Sequence, residues 1–218
     1  MESNGSPYYD QAELWREPAH YTDECVRIIE SLAPSDVRSI LDIGCGNGAI
    51  TNPLTARFRT IGLDSSREAL LHLQGARLLA ESAAIPLRDQ SVDLVLLSNV
   101  LEHLPAAVFS HTVKEAMRIA RRYLLVVSPH DENLQFSQVK CDDCGCIYHR
   151  NYHLRSLTLA DIDRVFGQGF EMSAYTFWGE PWPQYDRRLW ELKQHLAEGW
   201  SRWPLAVCPL CGGKPGTK

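Results

Sequence analysis

Ile40-Leu41-Asp42-Ile43-Gly44-Cys45-Gly46-Asn47-Gly48 decides the fold. Residues 38–43 read as a buried strand, and they run straight into three glycines at alternate positions. Glycine accepts the positive φ of a tight turn and lets a ligand approach the backbone. Residues 49–57 then have helical spacing, with Pro53 confined to the early turns or bending the helix. The free N–H groups at such a helix start face whatever lies above the sheet. Asp42 stands at the mouth of the loop, where a phosphate would be repelled. The loop therefore favours a cationic or zwitterionic ligand. Asp64 follows 22 residues after Asp42, at the end of the next apolar run, residues 59–63. A carboxylate there can accept hydrogen bonds from both hydroxyls of a ribose.

Working outward, residues 77–80, 91–98 and 122–128 read as three further strands. The run Val92-Asp93-Leu94-Val95-Leu96-Leu97 suits a strand covered on both faces. Residues 66–74, with a serine cap, and 105–120 read as the helices between them. This alternation predicts an α/β fold, a mostly parallel sheet flanked by helices. Residues 1–10 read as a flexible start. Residues 11–32 suit one or two helices broken near Pro18, with Val26, Ile29 and Leu32 as a buried stripe. After Pro129 the rhythm breaks: residues 130–156 are polar and cysteine-rich. Residues 158–166 suit a helix capped by Thr158, 170–178 a sixth strand, and 185–198 an amphipathic helix. The expected organisation is a helical cover (1–37), an α/β core (38–130), an insertion or lid (131–156), the remainder of that domain (157–207) and a second half-knuckle (208–218).

Taken together, these motifs resemble the class I, Rossmann-like S-adenosylmethionine-dependent methyltransferases of the bacterial small-molecule type. LDIGCGNG resembles their first motif and Gly62-Leu63-Asp64-Ser65 their ribose-binding motif. Glu81-Ser82-Ala83-Ala84-Ile85-Pro86-Leu87 resembles the segment along the adenine, although the family usually has aspartate at the Glu81 position. Asp93 to Leu104 resembles their fourth-strand signature, and the likeness covers about residues 38–130. It implies S-adenosylmethionine as cofactor and methyl transfer as the reaction. Gly44 and Gly46 would approach the cofactor backbone, and Asp42 would orient its methionine amine. Asp64 and Ser65 would serve the ribose, Glu81 and Ser82 the adenine, and Asn99 the methionine end. The family normally ends in a seventh, antiparallel strand, for which Trp203 to Val207 is the only late apolar run.

Methyl transfer from a sulfonium is an in-line displacement. Positioning supplies much of the rate, and a base is needed only for some nucleophiles. His103, after the fourth strand, and His153, after the cysteine-rich stretch, are the candidate catalytic residues. His103 would take a proton or contact the substrate, or chiefly shape the pocket; His153 would lie near the substrate or act as base, or be a loop histidine bonded to backbone. Arg155 would meet an anionic substrate or pair with the acidic surface. Trp178 and Trp182 read as an acceptor wall or as core packing, and Trp190 as core.

Cys141-Asp142-Asp143-Cys144-Gly145 and Cys208-Pro209-Leu210-Cys211-Gly212 resemble the two halves of a zinc ribbon. Four thiolates suit zinc better than calcium or magnesium, and a glycine after each second cysteine permits the knuckle turn. Cys141, Cys144, Cys208 and Cys211 are the expected ligands of one structural zinc. A local set of Cys141, Cys144, Cys146 and His149 is the alternative. Seven cysteines and no secretory leader argue against a disulfide scaffold.

Of the 218 residues, 44% are apolar and 22% charged, with a formal net charge of -5. The acidic balance disfavours nucleic acid, no run spans a membrane, and the usage suits the cytoplasm. The expected activity is methyl transfer to O or N of a small metabolite, with zinc structural. The alternatives are a nucleic-acid or protein methyltransferase and a non-catalytic, cofactor-binding interaction protein.

Overall fold

The computed structural model describes residues 8–9, 11–16, 21–183, 186–197, 200 and 203–214. The expected break at Pro18 and the helix start at Tyr185 lie outside them. Five strands form one parallel sheet: β1 (Ser39–Ile43), β2 (Arg59–Asp64), β3 (Ala76–Leu79), β4 (Val92–Ser98) and β5 (Ala120–Val127). Their order is β3-β2-β1-β4-β5. The chain moves outward from β1 in one direction and then returns to the other side with β4. Above the carboxyl ends of β1 and β4 this reversal opens the crevice where open α/β sheets bind ligands.

Side chains alternate between the two faces of the sheet. Ile40, Leu94 and Leu96 pack with Cys25, Val26 and Ile29 of helix α1 (Thr22–Leu32). Leu32 of the expected stripe is only half-buried. Leu41, Ile43, Val95 and Leu97 point the other way, against Val113, Ala116 and Ile119 and against Phe166. All seven residues of β4 are buried, as its continuous apolar run requires. The one acid within that run, Asp93, is used structurally. Its carboxylate accepts from the N–H groups of Arg38 and Ser39 at 3.0 Å and from Arg121 at 2.6 Å, tying together the starts of β1, β4 and β5.

The helices after β1 and β2 are single turns, α2 (Thr51–Leu54) and α3 (Arg67–Leu70), shorter than the spacing predicts. Ser66 does cap the second, accepting from the Ala69 N–H. α4 (Ala106–Ile119) covers the sheet, and α5 (Leu159–Phe166) starts on a capping box between Thr158 and Asp161. The insertion contains a short antiparallel hairpin, β6 (Gln138–Lys140) and β7 (Ile147–His149), with the first cysteine pair at its tip. The late helix α6 covers Arg187–Ala197.

Two expected strands are absent among the described residues. Residues 170–178 are irregular, and Tyr175, Phe177 and Trp178 stay exposed; an aromatic run makes a strand only where an edge pairs with it, and β5 has no neighbour on its outer side. Residues 203–207 form a turn, not an antiparallel strand beside β5. Ala206 and Cys208 bury instead against Val139, Cys141, Tyr148 and Tyr152 of the insertion, and the buried Val207 between them accepts from Tyr152. Tyr8, expected in a flexible start, is buried in the same cluster.

Candidate active site and metal centre

Asp42 ends β1 beneath the glycine loop and is 1% exposed. Its Oδ2 accepts from the Thr51 hydroxyl at 2.5 Å, whereas Oδ1 is buried without a partner. Burial pushes its carboxyl up to about 7, with the nearby Asp64 adding to the shift against the Thr51 hydrogen bond. An unpaired buried carboxylate oxygen at a ligand cleft is costly unless a donor arrives. Gly44 and Gly46 have φ of 72° and 55°, and a Cβ on Gly46 would come within 2.9 Å of the Trp15 ring. The backbone therefore runs bare where a ligand would lie, under an indole supplied by the N-terminal segment.

Asp64, at the tip of β2, accepts from the Gly46 N–H and the Ser66 N–H, each at 2.8 Å. These bonds aim the carboxylate across the loop and leave lone pairs for a diol. A cavity of about 1530 Å³ lies above the sheet, lined by Asp42, Gly44, Gly46, Asp64, Ser65, Glu81, Ser82, Asn99, His103 and His153. All ten proposed cofactor and catalytic positions thus face one space. It exceeds the usual ~300–1,000 Å³ of a small-molecule site, leaving room for a cofactor and an acceptor together. Trp178 and Trp182 line the same cavity. Trp190 packs on Phe136 instead, and Arg155 donates to the Leu101 carbonyl at 2.5 Å while lying over the Phe109 ring, outside the residues that line the cavity.

The part of the cavity lined by His103 and His153 is built with the insertion. The Leu154 N–H bonds to the Glu102 carbonyl at 2.7 Å, joining residues 150–155 to the loop after β4. That contact brings His103 and His153 edge to face, with ring centroids 4.7 Å apart. Burial, aided by His153, holds His103 down at about 3, so its ring is neutral at ordinary pH. Burial pushes Glu102 up to about 7.

Glu132, which carried no role in the sequence, and His149, expected only as a ligand of the alternative zinc set, complete this end. Glu132 accepts from Nδ1 of His153 and from Nε2 of His149, the latter at 3.2 Å. Burial opposes its charge, yet the two imidazoles hold its carboxyl down at about 2. Nδ1 of His149 accepts the Asn151 and His153 N–H groups at 3.3 and 3.1 Å, which places its proton on Nε2. The His149-His153 spacing was the available signal. Glu132 carried none, because only the hairpin brings it to them.

Cys141, Cys144, Cys208 and Cys211 converge, their sulfurs all within 4.8 Å of one another. Cys141 lies 3.6 Å from Cys211 and Cys144 3.5 Å from Cys208. A disulfide needs about 2.05 Å. Sulfurs at the corners of a zinc tetrahedron, with bonds of about 2.3 Å, lie about 3.8 Å apart. The two loops repeat one another. The Gly145 N–H bonds to the Cys141 carbonyl and the Gly212 N–H to the Cys208 carbonyl, and both glycines have positive φ. Burial opposes a Cys208 thiolate, but the N–H groups of Cys211 and Leu210 outweigh it and lower its pKa. The donor set and spacing fit a small zinc-binding element made from the insertion and the C-terminal region. Cys146 lies outside the cluster, and His149 is committed to Glu132, so the local ligand set is not assembled.

Residues 41–125 match the methyltransferase-domain family. An uncharacterized protein of Methanocaldococcus jannaschii is 35% identical over 94 residues, 42% of this chain and 41% of that protein. An uncharacterized methyltransferase of Mycobacterium tuberculosis is 33% identical over 112 residues, 49% of this chain and 46% of that one. The chain thus spans less than half the length of these curated relatives. Among solved structures, a SAM-dependent methyltransferase from Archaeoglobus fulgidus superposes with a TM-score of 0.56 at 14% identity, covering 85% of this chain and 89% of that one. The CcbJ methyltransferase of Streptomyces caelestis gives 0.56 at 18% identity, covering 77% and 87%. The fold is that of the class I, Rossmann-like methyltransferases, with a cysteine cluster added.

Proposed function

We propose that this chain, built on a class I methyltransferase fold, transfers a methyl group from S-adenosylmethionine to an oxygen or nitrogen of a small metabolite. The observation that carries the reading is the buried, unpaired Oδ1 of Asp42 beside the bare glycine backbone, opening on the same cavity as Asp64. When bound, the cofactor supplies a methyl group activated on a sulfonium. Asp42 accepts from the methionine amine, and Gly44 and Gly46 give it close approach. Asp64 and Ser65 hold the ribose, Glu81 and Ser82 flank the adenine, and Asn99 closes the methionine end. His103 and His153 form the acceptor wall, beside which the nucleophile is held. Trp178 and Trp182 limit its size.

Zinc at Cys141, Cys144, Cys208 and Cys211 has every ligand position filled. It therefore has a structural role, bracing residues 131–156 as a lid on the core, with no open place for water or substrate. Calorimetry with S-adenosylmethionine and its demethylated product tests the site: both bind if the reading holds, and failure of folded, metal-replete protein to bind either overturns it. A labelled-cofactor assay on cell extract tests the acceptor class. Label in the small-molecule fraction supports the proposal, and label in protein or nucleic acid overturns it.

A further inference from the structure

We infer that Glu102, His103 and His153 bind a second metal, a divalent first-row transition cation, at the acceptor end of the cavity, and that this cation receives an oxygen of the methyl acceptor. The second half of the statement rests on the methyltransferase reading above. One ligand atom from each of the three residues lies within 4.8 Å of the other two. Both carboxylate oxygens of Glu102 and Nδ1 of His103 are buried without a hydrogen-bond partner, and Glu102 is 1% exposed. Three adjoining polar atoms deprived of water and of partners are costly, and all are acceptors or ligands in need of a positive group. One cation supplies it to all of them.

The surroundings are those of metal-binding imidazoles. Such a histidine commonly donates its other ring N–H to a carboxylate, which fixes the tautomer and turns the ligating nitrogen toward the ion. His153 donates from Nδ1 to Glu132, so Nε2 is left bare. Glu132 is itself fixed by the Nε2–H of His149, which two backbone N–H groups hold in that tautomer. The His103 ring meets the backbone of Tyr152 and Asn151. Tyr152 has φ of 58°, a left-handed turn that carries the chain from His149 back to His153. A buried shell of this order around one open imidazole nitrogen is more than a loop histidine needs.

Two imidazoles and one carboxylate suit zinc, cobalt, iron or manganese, whereas calcium and magnesium prefer all-oxygen sets and the cysteine cluster takes thiophilic ions. Three protein ligands leave coordination positions open, unlike the filled cysteine site. Glu102, His103 and His153 line the cavity that also contains Asp42 and Gly44, so an ion held there would share that space with the proposed cofactor. A hydroxyl held there ionises more readily and gives its proton to solvent. Its oxygen forms the new O–C bond as the S–C bond breaks, and sulfur keeps the bonding pair. No oxidant or reductant is consumed.

The test uses full-length protein with zinc already on the cysteines. Co²⁺ is added while the visible spectrum is recorded, and S-adenosylmethionine affinity is measured by calorimetry on the same samples. One saturable Co²⁺ site is expected, with d–d bands and without thiolate-to-cobalt charge transfer. Glu102→Gln and His103→Leu should each remove it while cofactor still binds. Glu132→Gln should keep the spectrum but weaken Co²⁺ by about 10–100-fold, and it carries the test if either ligand variant fails to fold. Wild-type protein that binds cofactor but no Co²⁺ overturns the metal inference alone. A Co²⁺ site that survives both ligand variants overturns the assignment. A Co²⁺ site in protein without cofactor affinity leaves the metal standing and overturns its role in methyl transfer.

Discussion

The Tyr152 hydroxyl donates to the Val207 carbonyl, so the neighbour of His153 is hydrogen-bonded to the neighbour of Cys208. The acceptor wall and the cysteine cluster are one link apart, although their residues are 55 positions apart in sequence. The Tyr8 ring packs edge-on against Tyr152, centroids 4.9 Å apart, and closes the same joint.

Tyr152→Phe removes the donor and leaves the buried Val207 carbonyl unpaired. The expected cost is about 1–3 kcal/mol. Element analysis should still find zinc, and cofactor affinity should hold, while acceptor turnover falls. Unchanged turnover would separate the joint from the acceptor wall.

The cysteine cluster makes two opposed predictions. Cys208→Ser should lose zinc or bind it poorly, whereas Cys146→Ser should retain one zinc per chain. Cys211→Ser should damage acceptor turnover more than cofactor affinity, because the glycine loop and Asp64 do not touch the knuckles. Zinc retained in Cys208→Ser and lost in Cys146→Ser would select a different ligand set.

Asp42 sets a pH dependence. Burial raises its carboxyl from the ordinary value near 4 to about 7, so without cofactor the folded chain binds the extra proton between those values. Stability of the cofactor-free protein should therefore fall as pH rises from about 4 to about 7, by on the order of 4 kcal/mol, and level off above. Asp42→Asn should flatten that part of the curve, as followed by thermal unfolding. Cofactor affinity should move the opposite way, rising as Asp42 ionises to meet the amine. An affinity that ignores pH across this window would take Asp42 away from the amine.

Asp64→Asn keeps the shape of the side chain but cannot keep both charge-assisted bonds from Gly46 and Ser66 as well as the ribose. Hydrogen bonds to a charged group are worth about 1.5–3 kcal/mol, so calorimetry should show cofactor affinity weaker by about tenfold to hundredfold. Unchanged affinity would remove Asp64 from the site.

The core was legible because its signals are local. A strand, three alternate glycines and an acid one strand later sit within 25 residues, 40–64, and each follows from a short-range rule. The paired knuckles were legible for the same reason, since each carries its own two cysteines and glycine. Residues 170–178 misled because aromatic composition mimics a strand, while the run makes no pairing with the outer edge of β5. The sequence of Trp203 to Val207 likewise gave no hint that its burial partners would be Val139 and Tyr152 instead of β5. Glu132, His149 and His153 come together only through a three-residue hairpin register, Gln138 opposite His149, which no periodicity encodes.

The N-terminal segment touches both halves of this machinery. Trp15 covers Gly46, its carbonyl accepts from the Asn47 side chain at 3.0 Å, and four residues earlier Gln11 donates to the Leu205 carbonyl at 2.8 Å. Lifting the indole to exchange a cofactor beneath it pulls on the strap that also reaches the tail beside Cys208. On the proposed function, cofactor exchange and the acceptor wall would thus be coupled through the contacts of Gln11 and Trp15.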